Sequence, residues 1–312
     1  MKIHPLKRPA AENVGMPKKK RRLKYISVLP SFITLMNGAC GFIAIIFASR
    51  SSVVNWNLFF MRRASVTFFA LSGFMIFLAM VADMLDGRVA RLTRTTSSFG
   101  GQLDSLSDAI SFGIAPAFLM LKLVEFHLEN LQFGRFSLII GRCIIFCAVL
   151  YAMCAVVRLA RFNVENEEDE SAHMNFSGLP SPAAAGVVVS LAIFHQQLLS
   201  RFVNGSPDLA HTFELVTVFA FPLITLLAGI LMVTRIRYPH VANQLLRRKK
   251  SLPSLLLIFA CGFFIIWYIE LAMVVGFCGF AVFGIVRWII WSFTKKNPPR
   301  PAPPAEAGQG TV

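Results

Sequence analysis

The chain has 312 residues, 55% of them hydrophobic and only 15% charged, with 30 Phe. A soluble domain carries about 25% charge, so one water-facing globule is excluded as the host for this much Leu, Ile, Phe and Val, and lipid is the implied solvent. The net charge of +15 would suggest nucleic acid, but much of it lies in Lys18, Lys19, Lys20, Arg21, Arg22 and Lys24 and in the run Arg247, Arg248, Lys249, Lys250. Basic residues beside spanning helices set orientation and meet anionic headgroups, so no nucleic-acid partner is expected.

In chain order, residues 1–23 are rich in Pro, Lys and Arg and read as a basic disordered tail. No cleavable signal peptide is expected, because the first apolar block starts too far in. Eight apolar blocks of spanning length follow, at 28–48, 66–84, 104–124, 137–157, 182–200, 213–233, 252–269 and 271–291. The last two are joined around Glu270 and predict a tight helical hairpin. Residues 293–312 form a Pro-rich tail. The expected fold class is therefore all-α, a polytopic transmembrane helical protein. The six cysteines, Cys40, Cys143, Cys147, Cys154, Cys261 and Cys278, all fall inside apolar blocks without a CxxC pair and read as free thiols.

With both termini on one side, that side collects the N-terminal cluster, Arg88, Arg91, Arg94, Arg158, Arg161, Arg235, Arg237, the 247–250 run, Lys295, Lys296 and Arg300. The other side holds Arg50, Arg62, Arg63, Lys122, Arg135, Arg142 and Arg201. The positive-inside rule places both termini in the cytoplasm.

Acids are scarce in and beside the spans, and a carboxylate at mid-bilayer costs about 2.5–3.5 kcal/mol on insertion scales. Four come together. Asp83 and Asp86, three apart, close the second span; Asp104 and Asp108, four apart, open the third. Both spacings put two side chains on one helical face. Four facing carboxylates repel unless a cation sits among them, and hard divalent ions with oxygen ligands suit phosphoryl transfer. The bland reading, acids at helix ends near water, accounts for one such pair more readily than for two pairs flanking a short basic loop.

The segment from Asp83 to Asp108 reads DMLDGRVARLTRTTSSFGGQLDSLSD. It resembles the signature D-x2-D-G-x2-A-R-x8-G-x3-D-x3-D of the CDP-alcohol phosphotransferases, with Asp83, Asp86, Gly87, Ala90, Arg91, Gly100, Asp104 and Asp108 at every fixed position. The resemblance implies two divalent ions, Mg²⁺ or Mn²⁺, held by Asp83, Asp86, Asp104 and Asp108 against the diphosphate of a CDP-linked substrate. It makes Asp108 the base that takes the acceptor's hydroxyl proton. It implies CDP-diacylglycerol binding by Gly87, Ala90 and Gly100, whose small size admits the cytidine, and by Arg91 and Ser97. Upstream, LPSFITLMNGACGF is similar to the family's Pro-Asn-x-x-Thr-x-x-Asn opening: Pro30, Thr34 and Asn37 match, while Ser31 replaces Asn. Thr34 and Asn37 are then expected on the nucleotide side. Helix–helix packing is the alternative for the glycines, and interhelical hydrogen bonding for Thr34 and Asn37.

The signature leaves the acceptor open among serine, glycerol phosphate, inositol phosphate and, with other donors, choline. The segments RLARFNV (158–164), FSGLPSPAAA (176–185) and MVTRIRYP (232–239), with eight spans, are similar to the bacterial membrane-embedded branch that uses serine. Arg158 and Arg161, with Asn163, are candidates for the serine carboxylate or a lipid phosphate, because guanidinium forks suit both; snorkelling arginines are the alternative. Gly178, Pro180 and Pro182 read as a structural turn. The acidic stretch Glu165, Glu167, Glu168, Asp169, Glu170 reads as a solvated loop, and His173 is given no role.

The resemblance divides the chain into a tail (1–23), a membrane domain with a six-helix core (24–245), a C-terminal transmembrane hairpin (246–292) and a second tail (293–312). It implies phosphatidyl transfer from CDP-diacylglycerol to L-serine, giving CMP, in a membrane-embedded homodimer of the bacterial inner membrane with the active site facing the cytoplasm. A sibling enzyme using glycerol 3-phosphate or inositol phosphate is the alternative within the family. An ion-coupled transporter is the alternative outside it, although repeated interrupted helices in both halves are not found.

Overall fold

The structure, a computed structural model, describes residues 28–50, 53–54, 66–93, 98–131, 133–168, 178–203, 207–234, 236 and 268–294. Its helices are α1 (Val28–Ala48), α2 (Phe68–Thr93), α3 (Ser98–Asp108), α4 (Ala115–Asn130), α5 (Ser137–Glu168), α6 (Ser181–Val203), α7 (Pro207–Val233) and α8 (Ile269–Thr294). A π-helical segment, Ala109–Ile114, joins α3 to α4 without a break. The only strands among the described residues are Val53–Val54 (β1) and Val66–Thr67 (β2), a two-residue antiparallel ladder pairing Val53 with Thr67 and Val54 with Val66.

Among the described residues, seven helical segments are long and apolar enough to cross a membrane: Ser31–Ala48, Phe68–Val89, Phe99–Asn130, Gly134–Val164, Ser181–Leu199, His211–Val233 and Ile269–Ile290. The protein is a multi-pass helical membrane protein. Of the eight expected spans, the one at 252–269 falls almost wholly outside the described residues, and with it the first arm of the expected hairpin. The third is longer than expected, running from Phe99 rather than Asp104, because the aspartate pair lies inside the helix and not at its tip.

A further correction concerns the acidic stretch. Glu165, Glu167 and Glu168 continue the last turns of α5 rather than forming a loop, since glutamate is a good helix former and neither Gly nor Pro intervenes after Arg158. Asp169, Glu170 and His173 lie outside the described residues.

Water cannot drive helices together inside lipid, so close packing and interhelical hydrogen bonds hold the bundle. Helix α1 lies along α2; α5 packs on α7; α6 packs against α2, α7 and α8. The centre is filled by Tyr151, Phe112, Ile76, Leu119, Met120, Leu123 and Ile144, all fully buried. Apolar side chains also cover the outside, as a lipid-facing surface requires: Phe42, Phe146, Met153 and Val275 are all exposed.

The π segment has a local cause. Pro116 has no N–H to give to the carbonyl of Phe112, four residues back. The ladder widens there, with Ala115 donating to Ile110, and the freed Phe112 carbonyl accepts from the buried Tyr151 hydroxyl at 3.1 Å. Within the same segment, Ser111 donates to the Asn37 carbonyl of α1 at 2.9 Å. Both bonds answer the requirement that polar backbone in lipid be satisfied internally.

The entry to α6 is also built from backbone. Gly178 has φ +92, and an added Cβ would lie 2.3 Å from the Met232 carbonyl oxygen, so only glycine fits. Its N–H donates to Ile236 (2.8 Å) and that of Leu179 to Leu231 (3.0 Å), clasping the start of α6 to the end of α7.

At the opposite end of the bundle, buried His127 of α4 approaches Glu214 of α7 through Nδ1 at 3.2 Å. Its ring meets His195 of α6 edge-on at 4.8 Å, and His195 stacks on Phe213. This polar knot ties three helices together.

Candidate active site

The acidic residues fall in the last half of α2 (Asp83, Asp86) and in α3 of the α3–π–α4 span (Asp104, Asp108). One carboxylate oxygen from each of Asp83, Asp104 and Asp108 lies within 4.8 Å of the others. Asp83 and Asp104 are half-buried and Asp108 is 9% exposed. Asp86, 7% exposed, stands beside this trio, close enough for its charge to act on Asp83 and Asp104. One of its oxygens accepts from the Thr34 hydroxyl, and the other is buried without a partner. The structure thus brings three of the four aspartates into one cluster able to hold a metal ion and leaves the fourth one step aside, on Thr34.

Helix α1 supplies the brace. Asn37, fully buried, donates its side-chain amide to Asp108 at 2.9 Å, while its own Oδ1 has no partner. Thr34 and Asn37 both spend their side chains on aspartates. What lets α1 come this close is glycine. A Cβ on Gly41 would lie 2.5 Å from Ser111 Oγ and 2.7 Å from its Cα, and one on Gly38 would lie 3.2 Å from Ser107 Oγ. Small residues at such a crossing let two backbones approach.

The donor set fits a divalent metal. The candidate ligands are all carboxylate oxygens, which hard cations prefer; three of them lie within 4.8 Å of one another; and among the described residues no Lys or Arg forms an ion pair with any of them. Mutual repulsion in a poorly solvated place is what a bound cation would relieve.

Of the other expected site residues, Gly87 is exposed, and among the described residues nothing outside its own stretch of helix lies within 4 Å of where its side chain would start. Gly100 lies half-buried in α3. Ala90 and Arg91 lie on α2, but their side chains fall outside the described residues, as does Ser97. Arg158 and Arg161 are half-buried on α5. The charge of Arg158 acts on Asp108 without an ion pair between them. Asn163 accepts from Ser105 Oγ at 3.0 Å, and Arg158 donates from Nη1 to Ser181 Oγ at 2.6 Å.

Ser105 and Ser181 went unnoticed in the sequence. Serine is common in membrane helices, and nothing in the pattern tells a helix-internal hydroxyl from one that reaches another element. Two cues mark Ser181: it lies in the segment FSGLPSPAAA (176–185), and it stands just before Pro182 at the start of a helix.

A many-helix membrane protein that gathers oxygen ligands at one end of its bundle, with an arginine held nearby, belongs to the class equipped for metal-assisted chemistry on phosphates. The sequence matches the profile described as CDP-alcohol phosphatidyltransferase over residues 27–234. The chain belongs to that family, and it is a phosphatidyltransferase; the family generally uses divalent metal.

Among its relatives is a CDP-diacylglycerol–serine O-phosphatidyltransferase of Helicobacter pylori, 32% identical over 221 residues, covering 71% of this chain and 81% of that protein. The protein of the same description from Methanocaldococcus jannaschii is 28% identical over 223 residues, covering 72% and 79%. An archaetidylserine synthase of Methanothermobacter thermautotrophicus is 28% identical over 226 residues, covering 71% and 73%.

Proposed function

We propose that this enzyme transfers the phosphatidyl group of CDP-diacylglycerol to the hydroxyl of L-serine, giving phosphatidylserine and CMP. The observation that carries the reading is the convergence of Asp83, Asp104 and Asp108 within 4.8 Å, braced by Asn37. The names of the relatives from Helicobacter pylori and Methanocaldococcus jannaschii support serine as the acceptor.

Asp83, Asp86, Asp104 and Asp108 are proposed to hold two Mg²⁺ or Mn²⁺ ions, which when bound neutralise the diphosphate and lower the pKa of the acceptor hydroxyl. The open face at Gly87, together with Ala90, Arg91, Ser97 and Gly100, takes the cytidine diphosphate. Thr34 and Asn37 serve it indirectly, by holding Asp86 and Asp108. Arg158, Arg161 and Asn163 form the acceptor side. The serine hydroxyl gives its proton to Asp108 as its oxygen bonds the phosphorus that carries diacylglycerol. The bond from that phosphorus to CMP breaks, and CMP leaves with the electron pair. A single displacement inverts the configuration at phosphorus. Asp108 works by placement at the nucleophile.

The enzyme is proposed to lie in a bacterial inner membrane, as a homodimer on the family resemblance, with both termini and the active site cytoplasmic; the basic residues on that side support the orientation. The family core is placed at 24–245 and a C-terminal hairpin at 246–292. The test is direct. Purified protein in detergent, given CDP-diacylglycerol, Mn²⁺ and isotopically labelled serine or glycerol 3-phosphate, should place label from serine in the lipid and release CMP in equal amount. Label from glycerol 3-phosphate alone, or none, would overturn the reading.

A further inference from the structure

Arg158 is held in an unusual way for a half-buried cation in lipid. Nη1, the terminal nitrogen on the Cδ side of the guanidinium, donates to Ser181 Oγ at 2.6 Å. Ser181 is fully buried. Its backbone is immobilised by the clasp at Gly178 and Leu179, which bond the end of α7 at 2.8 and 3.0 Å. What remains of the guanidinium is its side-on edge, Nε and Nη2, the fork that grips a carboxylate or phosphate with two parallel bonds. Nε is buried without a partner, and no ion pair occupies the edge among the described residues. A buried, unpaired donor on a cation is costly, so a partner from outside the chain is implied.

The place of this fork suggests which partner. The charge of Arg158 acts on Asp108, while Ser105, between Asp104 and Asp108 on α3, donates to Asn163, five residues beyond Arg158 on α5, and ties that end of α5 to the aspartate helix. In serine, the hydroxyl and the carboxylate hang on neighbouring carbons. A hydroxyl at Asp108 therefore leaves its carboxylate within reach of a cation nearby.

We infer that Ser181 is a positioning residue for acceptor recognition: it turns Arg158 so that the Nε and Nη2 edge receives the carboxylate of the amino-acid acceptor. This rests on the proposed phosphatidyl transfer to serine. The donor's phosphates share the oxyanion chemistry, and the experiment separates the two.

Initial rates are measured for the wild type, Ser181→Ala and Ser181→Thr, with serine and CDP-diacylglycerol varied in turn. Serinamide, which keeps the amine and hydroxyl but lacks the carboxylate, is added as competing ligand. The expected result is a KM for serine raised roughly tenfold in Ser181→Ala, as for loss of one hydrogen bond to a charged group. The KM for CDP-diacylglycerol should move less than about twofold, serinamide inhibition should be unchanged, and the Thr variant should recover serine binding. If Ala proves unstable in detergent, the nearly isosteric Ser181→Cys carries the same expectation.

A rise in the KM for CDP-diacylglycerol, a fall in kcat with both KM values unchanged, or an equal loss of serine and serinamide binding would overturn the inference and leave the phosphatidyl transfer standing. A wild type that does not use serine at all would overturn both.

Discussion

Asp108 has the most to lose from a change of one atom. Asn37 donates to it at 2.9 Å, and Asn in its place keeps the shape while removing both the negative charge and the capacity to take a proton. Asp108→Asn is expected to lower CMP release by about 10²–10⁴-fold, the usual worth of a placed acid–base group, while leaving the thermal unfolding midpoint in detergent within a few degrees. Neighbouring side chains act one step removed. Asn37→Ala and Thr34→Val take away the hydrogen bonds that orient Asp108 and Asp86. Loss of such an outer partner costs about 10–100-fold in metal affinity or activity. Titrating activity against Mn²⁺ should show the half-saturating concentration rising in both variants; an unchanged titration would mean that α1 has no part in holding the ligand set.

At the scale of elements, the approach of α1 to the α3–π–α4 span decides whether a site exists. Gly41→Ala puts a methyl 2.5 Å from Ser111 Oγ and against its backbone, so α1 must move, and overpacking of this kind costs about 1–3 kcal/mol. The expected outcome is a lower unfolding midpoint together with weakened Mn²⁺ dependence. Gly87→Ala is the contrast: among the described residues nothing outside its own stretch of helix lies within 4 Å of the new methyl. Stability should hold while the KM for CDP-diacylglycerol rises, because the methyl intrudes on space proposed for the nucleotide. If Gly87→Ala instead destabilises the protein and spares that KM, the open face of α2 is not the nucleotide's.

Elements also mark the limit of what periodicity could say. The spans were legible as blocks of apolar residues, because lipid demands about twenty of them in a row. The π segment was not, because it comes from one missing N–H at Pro116 answered by a hydroxyl on another helix, Tyr151. Nor was the length of α5, since glutamates that read as loop by charge continue a helix by propensity.

For the molecule as a whole, the acidic cluster should couple metal binding to stability. A dication bound by the folded state alone raises its unfolding temperature by mass action. Mn²⁺ should therefore stabilise the wild type in detergent and leave Asp104→Asn unmoved, and chelation should abolish CMP release until Mn²⁺ or Mg²⁺ is restored. Orientation is testable in the same protein. A cysteine at Arg88 should be labelled by an impermeant thiol reagent only from the cytoplasmic side, and one at Arg135 only from the other. The reverse pattern would invert the topology that the basic residues imply.

The solvent, the helical class and the family were all written in the sequence, because each depends on local chemistry: runs of apolar residues that only lipid can accommodate, and a spaced motif of carboxylates and small residues. The bundle alone decided the rest. Oxygens of three aspartates lie within 4.8 Å of one another while Asp86 rests on Thr34; Gly38 and Gly41 are where α1 and the aspartate helix meet; and Ser181, a commonplace residue in the chain, holds Arg158. Those contacts join residues many positions apart across helix crossings, and a crossing is set by how whole surfaces pack, which no single stretch of sequence contains.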